Sequence, residues 1–223
     1  MTHTVRIQSI EPVTHDTRHL VVTRPDGFSF TPGQATNMAV DREGWRDSKR
    51  PFTFTGDPDA DRLEFIIKIY PDHDGVTEQI GKLKVGDTLL ITDAWGAITD
   101  QGPGVFIAGG AGITPFIAIL RERARQQDGL AGCTLIFSNK TERDVILRDE
   151  WEAMEGLSVF FVLTDEGTDA LPRQRIDRDY LEQRVHGWRE NFYVCGPPGM
   201  IDAVTEILRL EGVPDDRVIV EDL

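Results

Sequence analysis

The stretch Val105-Phe-Ile-Ala-Gly-Gly-Ala-Gly-Ile-Thr-Pro-Phe-Ile-Ala-Ile-Leu120 decides the fold. It opens as a short apolar run, the pattern of a strand buried on both faces. It passes through Gly109, Gly110 and Gly112 and continues as an apolar segment too long for a second strand. Thr114 is a good N-cap, and Pro115 suits a first helical position, where its missing N–H would have had no partner. Strand, glycine turn and helix N-terminus in succession make an anion site. Glycines let a phosphate approach the backbone, and the unpaired N–H groups and helix dipole favour negative charge. The spacing is G-G-x-G rather than G-x-G-x-x-G, so the usual dinucleotide fingerprint does not match, and tight packing alone accounts for many such turns.

Working outward, Asp100-Gln-Gly-Pro-Gly104 is a linker candidate, and beyond it strands alternate with helices. Val105–Ala108, Cys133–Ser138, Ser158–Thr164, Asn191–Cys195 and Arg217–Val220 read as strands. Thr114–Gln127, Asp144–Met154, Asp177–Val185 and Gly199–Glu211 read as helices, with Arg121-Glu-Arg-Ala-Arg125 the polar side of the first. That grammar predicts a parallel α/β sheet with helices on both faces, which binds ligands at strand carboxyl ends near the topological switch point. The glycine turn closes one such strand, and Cys195-Gly-Pro-Pro-Gly-Met200 closes another.

Before the linker the chain reads as short strands with turn punctuation: Thr4–Ile10, His19–Thr23, Gln34–Val40, Pro51–Thr55, Arg62–Tyr70 and Thr88–Thr92. Only Thr77–Leu83 has a helical pattern there. Strands at this spacing predict a closed antiparallel barrel or sandwich. The chain thus divides into a barrel over 1–99 and an α/β domain over 100–223.

Composition narrows the function classes. A net charge of −14 over 223 residues argues against a nucleic-acid partner and against docking by simple charge attraction to a very acidic protein. The 2 cysteines, Cys133 and Cys195, are no disulfide framework and cannot ligate an iron–sulfur cluster within this chain. No apolar run is long enough to span a bilayer and Met1-Thr-His-Thr lacks the features of a signal peptide, so a soluble cytoplasmic protein is expected. His15 and His19 have no third ligand near them in the sequence and are expected to be solvated rather than metal-bound.

Four stretches now stand in a recognisable order: Arg50-Pro-Phe-Thr53, Gly75-Val-Thr77, Gly109-Gly-Ala-Gly-Ile-Thr-Pro115 and Cys195-Gly-Pro-Pro-Gly-Met200. Together they resemble the ferredoxin–NADP reductase family of flavoenzymes, and the resemblance covers essentially the whole chain. It implies an N-terminal flavin-binding barrel followed by a nicotinamide-dinucleotide domain, the architecture that the strand pattern suggests independently.

Carried over to this chain, the resemblance implies that Arg50 holds a flavin phosphate, a task suited to a guanidinium fork. Pro51 lies beside it in the same motif. Phe52 stands where the family usually has a tyrosine packed on the isoalloxazine, so the ring face survives and the hydroxyl does not. Thr53 matches the hydroxyl residue next to flavin N5. Lys68, Ile69 and Tyr70 follow the strand whose backbone lines the flavin. Gly75, Val76 and Thr77 match the loop and helix start that hold the flavin pyrophosphate, which implies FAD rather than FMN. Gly110, Gly112 and Thr114 match the turn for the nicotinamide-nucleotide pyrophosphate. Cys195, with Gly196, Pro197 and Met200, resembles the family cysteine beside the nicotinamide C4. Glu221 fits a glutamate near the active site, whereas the terminal Leu223 replaces an aromatic that stacks on the flavin.

Phe137-Ser-Asn-Lys-Thr-Glu-Arg143-Asp-Val-Ile-Leu147 is similar to NADH-using relatives such as cytochrome b5 reductases, yet Ser138, Lys140 and Arg143 could hold a 2′-phosphate and no acidic residue stands at the strand end to repel it; NADH and NADPH both stay open, with NADH slightly favoured. The implied reaction is hydride transfer from NAD(P)H to FAD and then electron transfer to a separate acceptor: ferredoxin, flavodoxin, a cytochrome or an oxygenase component. The protein would supply orientation and electrostatics. A free-flavin reductase and a non-catalytic flavin- or nucleotide-binding subunit are the rival readings.

Overall fold

The computed structural model describes residues 1–96, 98–126 and 129–220. Strands β1 (Thr2–Thr14), β2 (Thr17–Thr23), β3 (Ala35–Val40), β4 (Arg50–Thr53), β5 (Arg62–Lys68) and β6 (Thr88–Thr92) form an antiparallel sheet in the order β4-β3-β6-β1-β2-β5. The end strands β4 and β5 approach each other, and the Thr55 N–H donates to the Glu64 carbonyl at 2.9 Å, so the sheet nearly closes into a barrel. Alternation does the work expected of period-two sequence: Val5 and Ile7, Leu20 and Val22, and Leu63, Phe65 and Ile67 point into the core around Phe54. β1 pairs with β6 through its first residues and with β2 through the rest, and register irregularities at Ile7–Ser9 and Pro12–Thr14 bend it. A five-residue helix, α1 (Val76–Ile80), drops Val76 and Ile80 into the same core.

The second half is a parallel sheet of β7 (Gly104–Gly109), β8 (Cys133–Asn139), β9 (Leu157–Leu163), β10 (Asn191–Cys195) and β11 (Val218–Val220), in the order β11-β10-β7-β8-β9. Helices α2 (Thr114–Ala124) and α3 (Arg148–Ala153) pack Phe116, Ile117 and Trp151 on one face. Helices α4 (Arg178–Glu182) and α5 (Pro198–Leu210) pack Tyr180, Leu181, Val204 and Leu208 on the other. The chain winds outward from β7 through β8 to β9 and then returns to β10 on the opposite side of β7. The strand order therefore reverses between β7 and β10, and the crevice at their carboxyl ends is the switch point.

Local chemistry shifts several boundaries. Thr114 is not the N-cap: a 3-10 turn over Gly110–Ile113 makes the backbone helical already, Ile113 flanks the helix, and the Thr114 hydroxyl donates back to the Ala111 carbonyl at 3.0 Å. α3 begins at Arg148 rather than Asp144, because Leu147 sits in the left-handed region at φ 57° and separates it from a 3-10 turn at Glu142–Asp144. The Asp100–Gly104 segment is pinned rather than loose. The Tyr193 hydroxyl accepts from the Gln101 N–H and donates to the Gly102 carbonyl, both at 2.8 Å. Burial pushes the Tyr193 phenol up to about 12, so it stays a neutral donor.

The Arg121–Arg125 run is not simply a solvated side of α2. Arg123 is buried and bonds Asp100 of the connecting segment, while Arg121 and Arg125 reach the barrel. Ile66 and Ile98 share one apolar cluster with Phe116, Ile119 and Leu120, so the two halves meet across a packed seam.

Candidate functional site

Two turns meet at the switch point, and the glycines explain how. A Cβ on Gly112 would collide with the Cys195 carbonyl and lie 2.6 Å from the Gly196 nitrogen. A Cβ on Gly109 would come within 2.7 Å of Pro197 Cδ and 2.8 Å of Met200 Sδ. Only bare backbone allows β7 and β10 to deliver their turns this close. Gly110, at φ +53°, differs: its Cβ would meet nothing within 4 Å, so its backbone faces open space. The 3-10 turn and α5 both start without a side-chain cap. α5 opens on Pro198, which has no N–H, and its Met200 and Ile201 N–H groups donate to the Pro197 carbonyl at 2.9 and 3.1 Å, so it is the Gly199 N–H that α5 can offer forward. Bare backbone, open space and two uncapped helical starts fit an anionic dinucleotide bridge.

The structure thus brings Gly110, Gly112 and Thr114 together with Cys195, Gly196, Pro197 and Met200. Cys195 is buried at the end of β10, and neither cysteine forms a disulfide among the described residues. Burial pushes the Cys133 thiol up, as befits a structural position remote from this crevice. Glu221 and Leu223 lie outside the described residues.

The barrel residues collect along the near-closure. Arg50 and Pro51 are exposed, Phe52 is half-buried and Thr53 is 7% exposed at the end of β4. Arg50 donates to the neighbouring Lys49 carbonyl at 2.9 Å and has no ion pair among the described residues, in a chain with 38 acidic side chains. An exposed guanidinium fork is suited to holding a phosphate. Ile69 and Tyr70 follow the end of β5, and Tyr70 is an exposed aromatic whose ring lies 5.9 Å from that of His73. Gly75 precedes α1, Thr77 lies within it, and α1 rests against β3, the partner of β4. An exposed arginine, an exposed aromatic and a buried hydroxyl on the facing end strands β4 and β5 and the segment after β5 are the kinds of group that a flavin nucleotide needs.

The Lys68 side chain is committed elsewhere: its ammonium lies 2.9 Å from Asp16 and 3.9 Å from Asp144, which comes from the sheet half. Burial alone would raise the Asp16 carboxyl, but hydrogen bonds from Lys68 and Thr14 outweigh it and hold it below the ordinary value. His15 joins this network at 3.6 Å from Asp16 and 3.7 Å from Asp144, and His19 lies 3.0 Å from Glu64, so neither histidine is merely solvated. His15, Asp16 and Asp144 place ligand-type atoms within 4.8 Å of one another, with the Lys68 ammonium already serving as the counter-cation.

A cavity of about 510 Å³ opens at the carboxyl ends of β8 and β9, lined by Thr141, Glu142, Arg143, Glu166, Gly167 and Thr168. Sequence reading sees no acidic residue at the end of β8 to repel a 2′-phosphate; the fold supplies Glu166 from beyond the end of the neighbouring strand β9, and Glu142, three residues past β8, lines the same cavity. The rule that ligands span adjacent strand ends is the signal that could have found it.

Comparison with known proteins agrees with this geometry. Residues 4–99 match the oxidoreductase FAD-binding domain, and residues 106–206 match the oxidoreductase NAD-binding domain. The chain belongs to the ferredoxin reductase-like family. The reductase component of propane 2-monooxygenase from Rhodococcus jostii (strain RHA1) is 30% identical over 229 residues, covering 96% of this chain and 61% of that protein. NADH-cytochrome b5 reductase 2 of Mycosarcoma maydis is 28% identical over 222 residues, covering 89% of this chain and 63% of that protein. The ferredoxin reductase of carbazole 1,9a-dioxygenase superposes with a TM-score of 0.83 at 25% identity, over 99% of this chain and 68% of that one. The chain therefore spans less than two thirds of the length of the first two relatives. As a ferredoxin reductase-like chain it combines an FAD-binding barrel with an NAD-binding sheet, and among the described residues no helix is long and apolar enough to cross a membrane.

Proposed function

We propose that this chain is the reductase module of an electron-transfer system, taking hydride from a reduced nicotinamide nucleotide onto FAD and passing electrons to a separate acceptor. The observation that carries the reading is the contact of Gly112 with Cys195 and Gly196, which sets two uncapped helical starts at one switch point. We divide the chain at 99/100 into flavin-binding and nucleotide-binding units. The flavin would supply the redox chemistry that no side chain here offers, accepting a hydride and releasing electrons one or two at a time.

Each residue has a task in this reading. Arg50 binds phosphate, with Pro51 shaping the strand beside it. Phe52 and Tyr70 offer ring faces to the isoalloxazine. The hydroxyl of Thr53, with no protein partner among the described residues, is available to the ring edge. The backbone of Lys68–Tyr70 lines the flavin, and Gly75–Thr77 approach its pyrophosphate. Gly110, Gly112 and Thr114 take the nicotinamide-nucleotide pyrophosphate, with Gly196, Pro197 and Met200 closing the opposite side. Cys195 flanks the nicotinamide.

NADH is the favoured donor, because Glu166 shares the cavity with Arg143 and opposes a 2′-phosphate there, while Glu142 is already paired with Arg148. An oxygenase component is the favoured acceptor, since two relatives are named as the reductase of propane 2-monooxygenase and the electron transfer component of toluate 1,2-dioxygenase. Two buried cysteines and no disulfide among the described residues suit the cytoplasm. The test is an absorption spectrum of the purified protein, followed anaerobically by NADH and separately NADPH. Flavin bands that bleach faster with NADH are expected. A protein that stays colourless with added FAD, or flavin that neither nucleotide reduces, overturns the reading.

A further inference from the structure

The guanidinium of Arg121, on α2, bonds both α3 and the barrel. Its Nε and Nη2 donate to the two carboxylate oxygens of Glu150 on α3, at 2.6 and 2.8 Å, and its Nη1 donates to the Thr55 carbonyl of the barrel at 2.8 Å. Thr55 is fully buried. Its N–H closes the barrel onto Glu64, and its buried carbonyl takes a charge-assisted bond from Arg121. With the fork occupied on both sides, the guanidinium has one arrangement.

What lies at either end of this contact makes it informative. Thr55 is two residues beyond Thr53, the hydroxyl at the flavin seam, with Phe54 fixed in the core between them. Arg121 is two turns along α2 from Thr114 and the glycine turn, about 10 Å at the rise of an α-helix. The start of α2 is itself seated against β10 by the contact of Gly112 with Cys195. α2 is therefore a strut with one end fixed at the nucleotide turn and a later turn fixed to the segment that directly follows Thr53 and β4. We propose that Arg121, locked by Glu150, is a positioning residue for hydride transfer: it sets the barrel seam against the nucleotide turn so that nicotinamide and flavin stack in reacting geometry. The inference rests on the reductase reading above.

Hydride transfer demands close alignment of donor and acceptor, and an ångström of misplacement costs about two orders of magnitude. A lysine cannot replace this arginine, because one ammonium cannot hold a carboxylate by two parallel bonds and reach Thr55 as well. The nearby Arg125–Asp57 pair also joins the halves, at 2.6 Å, but both side chains are well exposed and such pairs contribute little.

The experiment compares wild type with R121K, R121A, E150Q and R125A in the FAD-loaded protein. The readouts are FAD dissociation constant, thermal midpoint, rate of flavin reduction at saturating NADH, NADH concentration dependence, and the long-wavelength absorption on adding NAD+ to photoreduced protein. Expected for R121K and R121A is a 10- to 100-fold slower reduction, a weakened long-wavelength band, and FAD and NADH affinities within about threefold of wild type. E150Q should fall between, and R125A should match wild type. Reduction rates and band unchanged in R121K and R121A overturn the proposal. So does loss of FAD from R121K in step with the rate, which would make Arg121 a barrel-stability residue. A wild type that NADH and NADPH both fail to reduce overturns the reductase reading itself, before any variant is compared.

Discussion

At the end of β7, Gly109 and Gly112 lie against Pro197, Met200 and the Cys195–Gly196 backbone, with no room for a single added carbon. At the start of β4, Arg50 stands exposed and, among the described residues, holds the carbonyl of the residue before it and no carboxylate. The nucleotide turn is made by packing, so its shape exists before any ligand arrives and is inseparable from the stability of the sheet. The flavin seam is made by side chains on an end strand, a short helix and an exposed loop, so its shape and the barrel's stability are separable. Changes at the first surface should cost folding and function together; changes at the second should cost binding alone.

Gly112→Ala is the strongest test of the first half of that contrast. The new methyl has backbone on every side that matters, so relief requires moving β7 from β10. Overpacking of this kind costs about 1–3 kcal/mol. Flavin reduction by NADH should fall by at least 100-fold while FAD stays bound, read by denaturant midpoint and stopped-flow absorbance together. Unaltered stability would mean that the two turns are not wedged as described.

Arg50→Ala tests the other half. Exposed, and without an ion pair among the described residues, Arg50 can be truncated with the unfolding free energy of the apoprotein expected within about 0.5 kcal/mol of wild type. FAD affinity should fall by 10- to 100-fold, consistent with loss of a charge-assisted bond of about 1.5–3 kcal/mol. Titration of apoprotein with FAD gives the first number and thermal unfolding the second. A variant that unfolds more easily but binds FAD as before would reverse the contrast.

Acid should separate the halves as well. In the barrel, the His19 hydrogen bond, with help from Arg62, holds the Glu64 carboxyl down at about 2, and Asp16 is held low beside Lys68. A carboxyl whose folded pKa lies below its unfolded value adds stability that is complete above pH of about 4.5 and is lost as pH falls toward 2. In the sheet half the buried groups with shifted values, Cys133, Tyr180 and Tyr193, are instead raised by burial and are neutral throughout that range. Tryptophan and amide-exchange probes should therefore report barrel loosening first between pH 4.5 and 2. Glu64→Gln should remove about 2 kcal/mol at neutral pH and flatten that acid response.

How much of this was legible in the sequence follows the same divide. β6 and β10 run over the residues that their apolar patterns mark, because one period dominates there. The switch-point pairing of Gly112 with Cys195 was legible as two motifs but not as a contact, since nothing local says which strand ends become neighbours. The Arg121–Arg125 run misled, because a charged stripe on a helix reads as solvated until a second domain is placed against it. Glu166, Asp144 and Arg121 matter only through tertiary placement, and no spacing along the chain announces them. The start of α3 was displaced by one left-handed residue, Leu147, which has no propensity signature.

Gly110→Ala is the finest probe of the contrast, because Gly110 belongs to the packed turn but faces away from the packing. An added Cβ meets no atom within 4 Å, so there is no clash to relieve. Its φ of +53° still disfavours any residue with a side chain, by about 1 kcal/mol. The stability loss should therefore be small, well below that of Gly112→Ala two residues on. The methyl would occupy the open face where backbone N–H groups await a phosphate, so the effect on function should be on nucleotide binding: KM for NADH raised severalfold with kcat little changed. Equal losses in both variants would mean that backbone strain, rather than contact with β10, governs the turn. A Gly110→Ala enzyme with an unchanged KM would mean that the phosphate approaches the Cys195–Met200 side instead, and would move the centre of the nucleotide site from the start of α2 to the start of α5.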